Sequence, residues 1–373
     1  TNTFRVMKNG ATFLDEAVAA LGFPIDIIAG REEARLIYLG VSHGLPPSSI
    51  KRLVVDIGGG STECIIGEGY QPLEMESLYM GCVNFTQRFF ADGKISKSAL
   101  QQAELAARAE AQGIAALFAA GHWDEAIGSS GTARALADVL QQNGWGDGGI
   151  SAQGLEKMRG LLVKAGDVKN LVIPGLQADR IPVLPGGFSI MAGVFAELDI
   201  EHMAVAGGAL REGVLYDLLG RFHHHDQRDA SVKHFMSRYH VDAQQAARVE
   251  ALALYLLEQV GCPSAAEQEA AQRLLSWAAR LHEVGISIAH TSYHKHSAYI
   301  LANADMPGFS KHDQARLSLL VRAHRGNLAK LAREQTLDNE SLEMIAIMRL
   351  AVLLCRNRRA LEHGGDVEGP ELR

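Results

Sequence analysis

The sequence predicts an α/β region followed by an all-helical region. Residues that prefer β-structure flank three consecutive glycines between Leu53 and Ile66, which predicts two strands joined by a turn. Glycine-containing turns lead from a short apolar run into a helical pattern at residues 25–40 and again at 126–135. From Val232 onward the apolar residues follow helical spacing almost throughout.

The composition is that of a globular protein with enough residues for two or three compact units. The chain has 373 residues, of which 47% are hydrophobic and 21% are charged. No apolar run approaches the roughly eighteen residues of a membrane-spanning helix, so we expect no span. The net charge of −7 argues against general nucleic-acid affinity, and a polyanionic substrate would need a local basic patch.

The cysteines predict free thiols rather than a zinc site or a disulfide framework, because they lie far apart without C-x-x-C spacing. Free thiols are typical of a reducing compartment, so we expect a cytoplasmic protein. The four positions are Cys64, Cys82, Cys262 and Cys355.

The strongest functional signal is D-I-G-G-G-S-T-E, which runs from Asp56 to Glu63. Consecutive glycines can turn successive N–H groups toward one anion, and a hydroxyl can add a further donor. The two flanking carboxylates suit a hard cation such as Mg²⁺ that bridges to a phosphate. Three glycines alone would fit an ordinary hairpin turn equally well. The predicted phosphate-binding residues of the turn are Gly58, Gly59, Gly60 and Ser61, and the predicted metal ligands are Asp56 and Glu63.

The full string resembles the second phosphate loop of the actin/hexokinase/Hsp70 superfamily, and within it the exopolyphosphatase and guanosine pentaphosphate phosphatase (Ppx/GppA) family. Residues 30–40 and 204–214 are also similar to family motifs. The resemblance implies an actin/Hsp70/hexokinase-like (ribonuclease H-like) α/β domain, N-terminally incomplete, followed by an all-α HD-like domain. The expected divisions are 1–36 for a remnant of the first actin-like lobe, 37–220 for the second lobe with the phosphate loop, and 221–373 for the HD-like domain.

The resemblance also assigns a general base. Acidic residues at the start of a helix, here Glu32 and Glu33, ordinarily do no more than stabilise the helix through a favourable interaction with its dipole. The string around them is similar to the family motif G-x-E-E-A-R-L-I, whose second glutamate is the base, and this implies that Glu33 activates water for attack on a terminal phosphorus. Near the start of the chain, Arg5 resembles a family position and could clamp a phosphate; a solvated charge is the alternative.

Two later glycine turns carry weaker signals. The transition at 126–135 could place an anion at a helix N-terminus. The segment 204–214 resembles a late Gly-Gly-Ala turn of the superfamily, so we expect Gly207 and Gly208 to shape the domain cleft, without ATP binding. Three histidines at 223–225 predict a linker.

The helical region contains L-H-E-V-G at 281–285, which resembles the L-H-D-I-G core of HD-type metal phosphohydrolases. Glu283 replaces the aspartate, and residues 246–260 supply no upstream histidine. We therefore expect a likeness of architecture without two-metal catalysis.

The stretch from Arg280 to Arg333 is basic, with eight Lys or Arg residues against three acids. A solvated helix face and a polyphosphate path both fit this pattern. The strings at 294–301 and 320–325 look more like the exopolyphosphatase branch. The residues predicted for the path are Lys295, His296 and Arg322.

The resemblance thus implies hydrolysis of terminal phosphate from inorganic polyphosphate, with Mg²⁺ or alternatively Mn²⁺, by a homodimer. Guanosine pentaphosphate is the alternative substrate. A non-enzymatic nucleotide-binding sensor or an Hsp70-like ATP-binding switch is the hypothesis of another class, and tight ATP binding without turnover would favour it. Family members normally begin with a D-x-G-S-N-S loop, which this sequence lacks, and Thr1 replaces an initiating Met. We therefore expect a part of a longer protein.

Overall fold

The computed structural model describes residues 9–46, 48–222, 226–334 and 337–358, so the predicted site residue Arg5 and the predicted linker at 223–225 lie outside the described residues. The chain divides into two compact units, Thr1–His225 and Asp226–Arg373. The first mixes strands and helices and the second is helical, which confirms the predicted fold class. In the described residues no helix is both long and apolar enough to cross a membrane.

The first unit alternates helices with the strands of one sheet. Its helices are α1 (Gly10–Leu21), α2 (Gly30–His43), α3 (Cys82–Phe89), α4 (Lys97–Gln112), α5 (Ala115–Phe118), α6 (Ser130–Gln142), α7 (Ala152–Ala165), α8 (Leu184–Glu197) and α9 (Leu210–Phe222), with 3₁₀ turns at Val168–Asn170 and Ile181–Val183. Its strands are β1 (Lys51–Ile57), β2 (Thr62–Glu68), β3 (Gln71–Leu78), β4 (Glu125–Ser129), β5 (Ile150–Ser151) and β6 (His202–Val205).

The sheet has the strand order β3-β2-β1-β4-β6-β5 in the part of the chain that is described. Strands β1, β2 and β3 form an antiparallel meander, whereas β4 runs parallel to β1 and β6 runs parallel to β4. Strand β1 therefore lies between an antiparallel neighbour, β2, and a parallel neighbour, β4. The turn at the carboxyl end of β1 is close to the start of β2 and the end of β4, so polar groups of both strands can meet there.

The continuous apolar run of β1 reflects burial on both faces of the sheet. Leu53 and Val55 belong to a large core with helix α8, whereas Val54 packs with Ile65 of β2 and with residues of helix α2, including Tyr38. Side chains alternate along a strand, so every second residue of β1 points toward α2. The register fixes which later residues share that face.

Helix α2 is held close to α9 by two glycines. A Cβ atom added to Gly40 would lie 2.0 Å from the carbonyl oxygen of Ala209, and one added to Gly213 would lie 1.7 Å from that of Leu36. Contacts that short are possible only without a side chain. The buried Arg35 of α2 also reaches across and donates to Asp217 of α9 at 2.5 Å.

The second unit is a bundle around its own core, in which Trp277 packs edge-to-face against Phe309. The helical spacing from Val232 onward predicts helices over residues 246–260, 265–281, 311–324 and 341–359. The structure confirms each of them within a few residues in the described range. The helices are α10 (Gln227–Arg238), α11 (Ala243–Val260), α12 (Ala265–Leu281), α13 (Tyr293–Asn303), α14 (Lys311–Ala323), α15 (Leu328–Glu334) and α16 (Asn339–Leu354), with 3₁₀ turns at Val284–Ser287 and Cys355–Asn357.

Two local expectations were wrong. The short apolar run at residues 25–29 predicts a strand, but these residues carry no assigned strand and are half-buried or exposed, because only pairing with a neighbour makes such a run a strand. The Ala-rich pattern over residues 98–120 predicts one helix, but the helix stops at Gln112 and resumes at Ala115, since Gly113 weakens the helix where the chain turns.

Gly81 controls the position of the glycine turn after β1. A Cβ atom there would lie 2.3 Å from the amide nitrogen of Gly60 and 2.4 Å from the carbonyl carbon of Gly59. We expect Gly81→Ala to lower the free energy of unfolding by about 1–3 kcal/mol, because backbone cannot yield as a flexible side chain does. The matched control is Gly160→Ala, at an exposed position of α7 where a Cβ meets nothing within 4 Å. We expect this substitution to raise the free energy of unfolding by about 0.5–1 kcal/mol. Urea unfolding of both variants measures the difference, and equal stability would contradict this role of Gly81.

Candidate functional site

The carbonyl groups of the glycine turn are bound by the start of helix α3. The carbonyl of Gly58 accepts from the N–H of Cys82 at 2.9 Å, that of Gly59 accepts from Val83 at 2.9 Å, and that of Gly60 accepts from the side-chain amide of Asn84 at 3.1 Å. In a trans peptide the N–H points opposite to the preceding carbonyl. The N–H groups of residues 59–61 are therefore directed away from α3, as a phosphate-binding turn requires.

The glycines are not needed here for left-handed backbone. Neither Gly58 nor Gly59 has positive φ. The turn is closed by the N–H of Gly58, which donates to the carbonyl of Ser61 at 2.9 Å. A Cβ on Gly59 would only make ordinary contact, 3.4 Å from a methyl of Val83. A glycine usually marks either a positive φ or the close approach of another group. For Gly58 and Gly59 the structure removes the first of these reasons.

The two predicted metal ligands face each other. Asp56 and Glu63 are directly opposite partners in the β1–β2 ladder, and both are buried, with 7% and 1% of their surface exposed. Asp56 is two residues after Val54 and Glu63 is two residues before Ile65, so all four side chains point to the same face of the sheet, the one covered by α2. A hairpin with two carboxylates at opposed positions thus places both in one buried spot.

Their environment opposes ionisation. Burial, followed by the charge of Glu33, raises the pKa of Glu63, hydrogen bonds with Ser61 and Ser77 oppose the rise, and the resulting pKa is about 8. The hydroxyl of Ser77 donates to Glu63 Oε1 at 2.8 Å. Ser61, predicted as a phosphate donor, is itself buried, and its hydroxyl is engaged with Glu63. The hydroxyl of Ser61 therefore forms a hydrogen bond with the carboxylate of Glu63, so the N–H of Ser61 is the group that could bind a phosphate at the turn.

Asp56 responds in the same direction. Burial raises its pKa and the charge of Glu33 adds to the rise, whereas a hydrogen bond with Ser129 and the charge of Arg134 oppose it, and the resulting pKa is about 6. Ser129 is the partner of Asp56 across the parallel β1–β4 ladder. Its hydroxyl lies 3.1 Å from the carbonyl of Gly208. The carboxylate therefore lies between Ser129 of β4 and Glu63 of β2, its ladder partners on the two sides.

The structure separates the two glutamates at the start of α2. Glu32 is buried and accepts two hydrogen bonds from Arg35, at 2.9 and 2.8 Å, so its charge is used inside the fold. Glu33 is half-buried, and its charge acts on both Asp56 and Glu63. Of the pair, Glu33 is the carboxylate that faces the hairpin site. Three carboxylates from two distant stretches of sequence thus meet on one face.

Several contributing residues escaped the sequence reasoning. Ser77, Ser129 and Asn84 each act on the turn or on its carboxylates, but isolated serines and asparagines carry no pattern. Only the strand pairing of Glu63 with Ser77 and of Asp56 with Ser129 reveals two of them. That signal requires knowledge of the register.

The donor chemistry fits Mg²⁺. The carboxylates of Asp56 and Glu63 are hard oxygen ligands, and the electrostatic cost of their shared burial is one that a cation would relieve. In the described residues no group of three or more His, Cys, Asp or Glu side chains is arranged to hold a metal. Mg²⁺ ordinarily takes one or two carboxylates together with waters and substrate phosphates, so a pair of carboxylates is sufficient.

The other glycine turns serve mainly as packing elements. Thr132, in the first turn of α6, donates to the carbonyl of Ile57 at 3.1 Å and so attaches α6 to the end of β1. Ser130 has a φ of 81°, and its buried hydroxyl has no partner among the described residues. A Cβ on Gly208 would lie 2.3 Å from the carbonyl oxygen of Gly40, so Gly208 allows the chain to approach α2.

The L-H-E-V-G motif of the second unit forms a closed arrangement. His282 is buried and its Nδ1 lies 2.7 Å from the carbonyl of Ala279, while burial lowers its pKa. Glu283 accepts from Arg358 at 2.9 Å, and the same guanidinium donates to Asp242 at 2.6 Å. An arginine therefore neutralises the carboxylate that replaces the aspartate of HD enzymes.

The basic stretch is partly gathered in space. Lys295 and Arg322, two of the three residues predicted for a polyphosphate path, line one cavity of the second unit. His296 is not among the residues that line it. The path itself stays a prediction.

Comparisons with known proteins agree with these features. The profile of the Ppx/GppA phosphatase family matches residues 1–222, and that of domain III of the same phosphatases matches residues 227–368. Guanosine-5′-triphosphate,3′-diphosphate pyrophosphatases are similar over nearly the whole chain. The protein from Vibrio atlanticus is 38% identical over 97% of this chain and 73% of its own length, and that from Pseudoalteromonas translucida is 37% identical over 96% and 72%.

Among solved structures, an exopolyphosphatase from Cytophaga hutchinsonii aligns with a TM-score of 0.52 and 24% identity, covering 58% of this chain and 72% of that chain. At that identity the likeness concerns the fold alone. The curated relatives favour the guanosine pentaphosphate branch, whereas the sequence strings at 294–301 and 320–325 had favoured the exopolyphosphatase branch.

Glu63 gives the site a measurable pH dependence. Its usual pKa is 4.5 and its folded pKa is about 8, so between these values the folded protein binds more protons than the unfolded chain. The stability due to this group is therefore lost as pH rises from about 4.5 to about 8, by an amount on the order of 5 kcal/mol. Asp56 contributes in the same direction up to about pH 6.

We expect Glu63→Gln in EDTA to remove most of this fall, since glutamine does not titrate. Mg²⁺ should raise the melting temperature of the wild type at pH 8 more than that of the variant. Calorimetry at pH 5, 6.5 and 8 with and without Mg²⁺ tests both statements. Identical pH dependence for wild type and variant would show that Glu63 is ordinarily ionised in the folded protein.

Proposed function

Because the chain belongs to the Ppx/GppA phosphatase family, we propose that it removes the terminal 5′-phosphate of guanosine pentaphosphate by hydrolysis. The observation that carries the reaction is the meeting of Glu33, Asp56 and Glu63 beside a glycine turn. The choice of substrate is supported by the pyrophosphatases that are 37–38% identical over 96–97% of this chain. It replaces inorganic polyphosphate, which the sequence strings had favoured.

Each part of the site has a role in the proposed reaction. Water attacks the terminal phosphorus, Glu33 accepts the proton that the water loses, and the bond from phosphorus to the bridging oxygen breaks, which releases orthophosphate and guanosine tetraphosphate. The N–H groups of residues 59–61 hold the phosphoryl oxygens. Mg²⁺, when bound, supplies positive charge against the phosphate oxygens, and Asp56 and Glu63 would hold it.

The positions of the carboxylates suit this division of labour. Asp56 and Glu63 are buried, and Glu63 accepts a hydrogen bond from Ser77, so the two carboxylates are positioned as metal ligands. Glu33 is half-buried at the start of a helix, where it can reach both solvent and the hairpin. Arg35 fixes the neighbouring Glu32 and thereby the first turn of α2.

Hydrolysis of inorganic polyphosphate is the second candidate, and the cationic cavity containing Lys295 and Arg322 favours it. The two reactions share the hairpin site and differ in what the rest of the substrate contacts. A sensor that binds nucleotide without turnover is the alternative from another class. It predicts tight guanosine nucleotide binding with no release of orthophosphate.

The choice among the three is tested by orthophosphate release. We expect kcat/KM for guanosine pentaphosphate to exceed that per chain end of long polyphosphate, with Mg²⁺ present. The reverse order would establish the exopolyphosphatase, and binding without release from either substrate would establish the sensor. Guanosine tetraphosphate in the same assay shows whether the 3′-diphosphate is left intact, as the proposal requires.

The role of Glu33 is tested by a matched pair of substitutions. Glu33→Gln should lower kcat by roughly 10²–10⁴ while leaving the melting temperature nearly unchanged, because only basicity is lost. Glu32→Gln should lower the melting temperature, because it leaves Arg35 with fewer charged partners in a buried position. Retention of more than about a tenth of kcat in Glu33→Gln would exclude Glu33 as the general base.

A further inference from the structure

The helical unit has a cationic cavity built entirely from its own residues. Its volume is about 270 Å³, and among the described residues the lining includes four Lys or Arg side chains and one histidine but no carboxylate. The charged lining residues are Lys295, Arg322, Arg325, Lys330 and His294. None of them belongs to the hairpin site.

Arg349 keeps the floor of this cavity from repelling an anion. The turn after α14 would present carbonyl oxygens, and a helix C-terminus carries partial negative charge. Arg349 donates to the carbonyl of Ala323 at 2.8 Å and to that of Gly326 at 3.0 Å. The carbonyls of the turn are thus bound by a fifth cation, which offsets their partial negative charge.

A buried hydrogen-bonded chain holds one of the cations in place. His324 donates from Nδ1 to the carbonyl of Val321 at 2.5 Å, and its Nε2 accepts from the hydroxyl of Tyr293 at 3.2 Å. The guanidinium of Arg325 lies over the Tyr293 ring, 5.5 Å from its centre. A cation fixed in this way loses little conformational freedom when it binds an anion.

His294 offers an unused polar atom at the same place. Its Nδ1 is buried and has no hydrogen-bond partner among the described residues. Its Nε2 would lie 3.3 Å from a Cβ on Gly326, which has a φ of 90°, so the ring packs against the turn. His294 is itself one of the residues that line the cavity, so its ring is close enough to sense a charge bound there.

We propose that this cavity binds a diphosphate group, free as inorganic pyrophosphate or carried by a nucleotide. Two adjacent tetrahedral anionic groups match four cations and a histidine better than a single carboxylate does. The volume lies just below the range of about 300–1,000 Å³ typical of drug-sized ligands, so a whole nucleotide would not be enclosed. In the part of the unit that the structure describes, no Phe, Tyr or Trp lines the cavity to stack a base. The site is separate from the proposed hydrolysis and does not depend on it.

Binding should be coupled to the protonation of His294. Burial lowers its pKa, and the charges of Lys295, Arg325, Arg322 and His296 lower it further. A bound diphosphate would oppose those charges, so the pKa of His294 should rise. Its imidazole NMR signals therefore report on occupancy of this cavity and not of the hairpin site.

The test is calorimetric titration of sodium pyrophosphate into the whole protein carrying Glu33→Gln, without divalent cations. The double variant Lys295→Gln/Lys330→Gln should weaken one binding event about tenfold. Lys233→Gln/Lys311→Gln removes the same charge from exposed positions of the same unit that do not line the cavity, and should leave that affinity unchanged.

A guanosine bis(diphosphate) titration distinguishes the two sources. If it shifts the His294 signals as pyrophosphate does, the diphosphate can come from a nucleotide; if pyrophosphate alone does so, the ligand is inorganic, and both results support the site. Equal weakening in the two double variants, no weakening in either, or no shift of the His294 signals would overturn it. Because hydrolysis is not measured, failure here leaves the proposed hydrolysis to its own test.

Discussion

The shared burial of negative charge against one face of the sheet is the constraint on which the site depends. Asp56 and Glu63 are opposed across β1 and β2, and Glu33 arrives on α2 above them. Burial, together with the charge of Glu33, raises the pKa of Asp56 and of Glu63, so stability is lost when these carboxylates are ionised. A fold keeps such an arrangement when a cation or a proton compensates the charge, so the cost indicates function rather than packing.

The surroundings of the carboxylates are accordingly rigid. Helix α2 cannot move away from the sheet without losing its close contact with α9, which Gly40 and Gly213 make possible. The turn after β1 cannot move away from α3 while its three carbonyls are bound there. The N–H donors and the carboxylates are thus fixed relative to each other before any ligand arrives, which is what electrostatic preorganisation requires.

The second unit uses charge differently. Where the first concentrates carboxylates, the second gathers cations, and its HD-like motif is closed by an ion pair between Glu283 and Arg358. That pair removes the open carboxylate on which a metal centre of the HD type would depend. The buried histidines His282 and His324 then serve as neutral packing groups, since burial lowers the pKa of both.

The sequence by itself determined the fold class, the hairpin and the carboxylates Asp56 and Glu63, because β-preference, a glycine triplet and spacing are local properties that the chain order preserves. It also singled out Glu33, although only through resemblance, since Glu32 and Glu33 have the same local chemistry. The tertiary structure alone assigned Glu32 to Arg35 and brought Glu33 to the hairpin. It also revealed Ser77 and Ser129, because the pairing of distant strands fixes their partners and no local pattern encodes it. For the same reason, no local pattern shows that the basic stretch lines a cavity. Arg349 holds the turn after α14 and Tyr293 packs against Arg325, and both contacts come from the tertiary structure.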